Sequence, residues 1–183
     1  MDNNYVFQYW EAIENGAVTV GKWIRTIYKI LVDGLKSGKW DFDGDKANKA
    51  INFIENFCHH SEGRNDLLKL ELWQKAIVSA IFGIMDKKTG YRQFREVFIV
   101  VARKNGKTLF AAAIAAYMTY IDGEYGAKVY FLAPKLDQAD LVYDAFYQIV
   151  QADDELESIT KKRRSDIYIK EFNTSVKKIA FNS

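Results

Sequence analysis

Along the first sixty residues, apolar side chains return every three or four positions, the period of a helix with one face turned inward. "NYVFQYWEAIENG" carries such a stripe and stops at Gly16, a residue suited to the left-handed turn that closes a helix. "TVGKWIRTIYKILVDGLKSG" opens at Thr19, a side chain able to cap free N–H groups, and sets Trp23, Ile27, Ile30 and Leu31 on one face. "DFDGDKANKAINFIENFCHH" offers Asp43 or Asp45 as a cap and runs Ile51, Ile54 and Cys58 along its stripe. The small polar stretch "SEGRND" then predicts a boundary, with residues 1–65 as an N-terminal helical region.

The period changes beyond it. "LKLELWQKAIVSAIFGIMDKK" predicts one more helix, entered near Leu72 and ended by "KKTG". "REVFIVVA" is continuously apolar and β-branched, as in a strand buried on both faces, and predicts such a strand over 96–102. "GKTLFAAAIAAYMTYID" is apolar nearly all round and so predicts a helix covered on most sides. "GAKVYFLAP" predicts a second buried strand, closed by Pro134, the only proline, and "DQADLVYDAFYQIVQ" a helix capped by Asp137. Strand, helix, strand, helix at these lengths points to an α/β fold with a parallel sheet and crossover helices. "SDIYIKEF" and "SVKKIAFNS" alternate and predict a hairpin around "NTS".

Composition changes this picture little. Hydrophobic residues at 49% and charged residues at 27% fit an ordinary globular chain, and 183 residues can bury a core without disulfide staples. A net charge of +2 announces no nucleic-acid partner by itself. The one basic cluster, Lys161 to Arg164 in "KKRRSD", reads as a solvated loop or a phosphate contact. The single Cys58 cannot form an internal disulfide, which favours a reducing cytoplasm. No apolar run approaches the ~18 residues of a membrane span, and "MDNNYVFQYWE" does not read as a signal peptide. Cys58, His59 and His60 point different ways on a helix, and no other His or Cys exists to complete a zinc site.

Chemistry concentrates in "VARKNGKT", residues 101–108. Gly106, Lys107 and Thr108 occupy their places in a phosphate-binding loop, but Val101 stands where the first glycine belongs. The context supplies what the pattern lacks, because the triplet falls where an apolar run hands over to a helix. There the first N–H groups are unpaired and the helix dipole favours an anion. Gly106 lets the backbone approach a phosphate, Lys107 neutralises the β- and γ-phosphates of a nucleotide, and the Thr108 hydroxyl suits Mg²⁺. Arg103, Lys104 and Asn105 lie inside the loop, and the two cations raise the local positive potential. The competing reading is a plain surface turn.

"VARKNGKT", preceded by "LELWQKAIVSAIFG" and followed by "VYFLAPKLDQADLVYDAF", resembles the ATPase domain of phage large terminase subunits, the motors that package DNA into capsids. The resemblance extends upstream through "YWEAIENGAVTVGKWIRTIYKILVDG" and "AINFIENFCHHSEG" and so covers nearly the whole chain. In this family the first loop glycine is often absent and an arginine sits in the loop. The resemblance implies a P-loop NTPase-type sheet with flanking helices over residues 66–183, with ATP and Mg²⁺ as ligands. It implies that Gln74 reads the adenine edge and that Arg103 acts on the γ-phosphate, with Lys107 and Thr108 as the phosphate and magnesium residues. Trp73 and Gln74 are otherwise a helix start with a buried aromatic and an exposed amide. "FLAPKLDQAD" resembles a segment that couples nucleotide to DNA, although Gln138 is equally an exposed helix position.

Such a motor also needs an aspartate and a glutamate at the end of a later strand, to position Mg²⁺ and activate water. No acid here follows an apolar strand, and Asp153 to Glu157 reads as a charged helix end. The expectation is a partial ATPase core, truncated before the acidic (Walker B-like) strand and without the nuclease domain. It would be inactive alone, with self-association at an unpaired sheet edge or partial disorder near the C-terminus. Double-stranded viral DNA, the small terminase subunit and the portal protein are the implied partners, and the host cytoplasm the implied location. Two alternatives stand beside it: a non-catalytic module that binds terminase or portal partners, and a helicase-like ATPase unrelated to packaging.

Overall fold

The computed structural model describes residues 4–60, 63, 64 and 66–181. Residues up to 52 cluster with 70–99 in one unit, and 53–69 cluster with 100 onward in a second.

The first unit holds α1 (Tyr5–Glu14), α2 (Lys22–Lys36), β1 (Asp41–Phe42), most of α3 (Gly44–Phe57), α4 (Leu72–Gly83) and β2 (Ile84–Met85). Asn4 Oδ1 caps α1 by accepting from the N–H groups of Val6 and Phe7, and Gly16 leaves it at φ 78°. Val6, Tyr9 and Ile13 recur along its inner face and bury against Tyr28, Leu31 and Val32 of α2 and Ala76 of α4. Tyr9 and Tyr28 meet edge to face at 4.7 Å. Helix α2 begins after Gly21 rather than at the predicted Thr19 cap, because Val18 and Val20 pack on the core and hold the chain out of the helix until Gly21.

The face α2 turns inward also differs from the predicted one. Of the four residues grouped together, only Leu31 is buried; Trp23, Ile27 and Ile30 are 73%, 54% and 54% exposed. Both stripes are apolar at helical spacing, and the core chose the one bearing Tyr28, Leu31 and Val32. Gly34 sits opposite the Trp40 ring: a Cβ there would lie 2.4 Å from it, so only glycine admits the indole against this helix. Asp43 Oδ1 caps α3, accepting from Lys46 N–H. Strands β1 and β2 form a short antiparallel ladder.

The predicted strand over 96–102 does not form. Phe98 is 93% exposed and Val100 80%. A continuously apolar strand requires ladder partners on both edges and cover on both faces. The main sheet's four strands pair only among themselves, and none takes up this segment.

The second unit holds α5 (Lys107–Tyr120), β3 (Lys128–Ala133), α6 (Leu136–Gln151), α7 (Asp154–Ser158), β4 (Thr160–Lys162), β5 (Ile167–Ile169) and β6 (Thr174–Ala180). Its sheet runs β3-β6-β5-β4, with β3 and β6 parallel and the other pairs antiparallel. The β5–β6 hairpin is as predicted, and the whole is an α/β fold with a mixed sheet. Strand β3 is not buried on both faces. Phe131 faces α6, 5.9 Å from Phe146 and 6.3 Å from Tyr143 between ring centres, whereas Tyr130 and Leu132 open to solvent beside Ile179 and Phe181 of the β6 end. Helix α6 is capped at Lys135, with Asp137 in the first turn where its charge suits the helix dipole. Asp153 caps α7 by accepting from Leu156 N–H, so the acidic stretch is a helix start anchored by buried Leu156.

Candidate functional site

The loop 102–106 delivers the chain into α5 through two left-handed residues, Lys104 at φ 67° and Gly106 at φ 65°. This conformation is ordinary for glycine and costs a lysine of order 1–2 kcal/mol. Asn105 braces the turn from inside, its Nδ2 donating to the carbonyls of Ala102 at 3.4 Å and Arg103 at 3.2 Å. Gly106 O accepts from Phe110 N–H at 2.9 Å and starts the helix. No side chain caps its first turn, so the leading N–H groups face outward with the positive end of the dipole.

Around that point stand Arg103, Lys104 and Lys107, all exposed and without a carboxylate partner among the described residues. Thr108 is half-buried. A Cβ on Gly106 would meet nothing within 4 Å, so the space beside the loop is open while the backbone itself demands glycine. Unpaired N–H groups, three cations and a hydroxyl at one helix entrance form a donor set for a phosphate chain and its counter-cation. Among the described residues, no cluster of three His, Cys, Asp or Glu could hold a metal ion by itself.

Arg103, Lys104, Asn105, Gly106, Lys107 and Thr108 thus share one turn of the second unit. Gln74 lies in the first unit, buried at the start of α4. Its Oε1 accepts from Glu71 N–H at 2.8 Å while the Glu71 carboxylate accepts from the Gln74 backbone, a reciprocal cap. The spacing Glu-x-x-Gln in "ELWQ" carried that signal, which a reading centred on the adenine edge passes over. Trp73 beside it is half-buried.

The basic cluster divides in two. Lys161 and Lys162 belong to β4, and Lys162 lies over the Tyr147 ring at 3.9 Å. Arg163 donates twice to the Asp166 carboxylate, both at 2.6 Å, and holds that carboxyl below the usual range. One of the four cations is therefore spent on the β4–β5 turn. Cys58 is fully buried, and burial pushes its thiol up to about 12, so it stays protonated at neutral pH and is no nucleophile.

Comparison with known proteins bears on the same segment. The model of the terminase large subunit ATPase domain matches residues 72–183, more than half of the chain, from the start of α4 to the last residue. No curated protein matches by sequence. The fold is similar to the crystal structure of the HK97 bacteriophage large terminase, with a TM-score of 0.65 and 23% sequence identity over 75% of this chain. The chain spans 28% of that protein's length. With residues 101–108 inside the matched segment, the chain belongs to the terminase large subunit ATPase domain family.

Proposed function

We propose that this chain is the nucleotide-binding part of a phage DNA-packaging motor, coupling ATP to translocation of double-stranded DNA into procapsids. The observation that carries the reading is the uncapped entrance of α5, with Gly106 at φ 65° and Lys107 and Thr108 in its first turn, inside the segment that matches the family. The loop N–H groups and Lys107 bind the phosphates, Arg103 contributes its guanidinium to the γ-phosphate, and Thr108 holds its hydroxyl toward the cation. Mg²⁺, when bound, neutralises charge between the β- and γ-phosphates. Gln74 uses its Oε1 in the helix cap, and its amide nitrogen is the group that would meet an adenine edge. The small terminase subunit and the portal are the partners this role requires, in the cytoplasm of an infected host, with the nuclease domain in another part of the full-length enzyme.

These 183 residues bind nucleotide weakly and turn it over at background rate. Among the described residues, the acids next to strand ends are already engaged, Asp41 with Lys87, Asp43 as the cap of α3, Asp86 in a turn with Thr89 and Asp166 with Arg163, and loss of a positioned base alone costs ~10²–10⁴ in rate. Titration with a fluorescent ATP analogue and Mg²⁺ checks the binding, and phosphate release checks the turnover. Lys107→Ala removes the saturable signal. Equal binding by wild type and Lys107→Ala would assign the loop to a plain turn, and robust hydrolysis abolished by Lys107→Ala would mean that the base is present after all.

A further inference from the structure

Helix α2 presents an apolar seam that no described residue of the first unit covers. Trp23, Ile27 and Ile30 follow one another at intervals of four and three, the spacing of side chains that interlock between paired helices. Ile24, 43% exposed, widens the seam on the side nearest the core. The helix does not owe its position to this seam, because Tyr28, Leu31 and Val32 anchor its other face. Scattered exposed apolar residues are ordinary, but a tryptophan and three isoleucines contiguous on one rigid helix mark an interaction surface.

The flank says what kind of partner fits. Lys22, Lys29 and Lys36 recur every seven residues along one side of α2, the flanking register that selects partners between paired helices. Lys22 lies over the Trp23 ring at 5.0 Å, Lys29 pairs with Asp33, and Arg25 pairs with Glu14. Asp33 is the only acid in the helix against four cations. A second copy of α2 would set like charges against each other. A phosphate backbone would leave the tryptophan and isoleucines in water. A membrane surface takes a wide apolar face, whereas half the apolar side of α2 is already in the core. We propose that the outer face of α2 docks an amphipathic helix of another protein, with an apolar seam bordered by acidic residues. This surface is independent of the phosphate loop and of the nucleotide reading.

The probe is a labelled synthetic helix of about three heptads, with leucine at the seam and glutamate beside it; its partner control carries lysine instead. Fluorescence anisotropy with the whole chain should show the acidic peptide binding at least ~10-fold tighter than the basic one at low salt. Ile27→Ser with Ile30→Ser should abolish that binding while the circular dichroism spectrum and nucleotide binding stay unchanged, since more than half of each side chain is exposed and the helix is anchored by its other face. Lys22→Glu with Lys29→Glu should reverse the preference toward the basic peptide. Equal affinity for the two peptides, or none for either, overturns the proposal. So does sedimentation with phosphatidylserine vesicles, or self-association, that the isoleucine variant abolishes; these would assign the face to a membrane or to a second copy.

Discussion

Arg103→Ala is expected to lower turnover of an enzyme carrying the complete ATPase domain by ~10³–10⁵, the worth of an arginine supplied to a phosphoryl transition state. Nucleotide affinity should stay nearly intact. The side chain lies three residues before Gly106, exposed and without a carboxylate partner among the described residues, so it is available to move as charge develops on the γ-phosphate. In the proposed role, Lys104 and Lys107 would supply the standing positive potential and the phosphate grip without it. The planar fork matters here, since it meets two phosphate oxygens at once where an ammonium is a point charge. Arg103→Lys is therefore expected to fall with Arg103→Ala. Single-turnover kinetics with a separate binding isotherm checks both variants. If Arg103→Lys stays within a few-fold of wild type, Arg103 serves as charge alone.

Phe146→Ala is expected to cost ~3–5 kcal/mol, the range for emptying a fully buried aromatic site. Phe146 is wholly shielded and joins three elements of the second unit: its ring lies 6.3 Å from Tyr120 of α5, nearly parallel, and 5.9 Å from Phe131 of β3. Phe146→Leu should lose less than ~1.5 kcal/mol if the core repacks around similar volume. Urea unfolding followed by circular dichroism measures both. A loss under ~1 kcal/mol for Phe146→Ala would mean that α5, α6 and the sheet do not share one core.

The turn into α5 was legible because its parts have local causes. Gly106 takes a positive φ without the cost a side chain would add, and Lys107 and Thr108 follow at once in the first turn of a helix whose alanine-rich sequence declares itself. Helices α1, α3, α4 and α6 were readable for the same reason, each burying one stripe at the helical period. Periodicity could not choose between the two apolar sides of α2. That choice rests on Tyr28 meeting Tyr9, a contact between helices that no spacing announces. Nor could it say that 96–102 would stay out of the sheet. An apolar run records a demand for burial, and the supply of neighbouring strands lies elsewhere. Strand β3 taught the same lesson in milder form, with Val129 and Phe131 half-covered and Tyr130 and Leu132 left open. The Gln74 position was read as a ligand contact, and the structure shows its amide oxygen in a helix cap, because one amide can serve its own backbone first.

Strand β3 closes one side of the sheet, and its register with β6 fixes how its amides meet water. Ser175 N–H donates to Ala127 O and Phe181 N–H to Ala133 O, so the amides of Val129, Phe131 and Ala133 point toward β6. Those of Lys128, Tyr130 and Leu132 point the other way, toward the outer edge. Deuterium should therefore enter β3 in alternation, fast at even-numbered residues and slow at odd-numbered ones. If a further strand takes up that edge, the fast set alone should slow. A single strand would thus report on completion of the sheet, residue by residue, through every second proton.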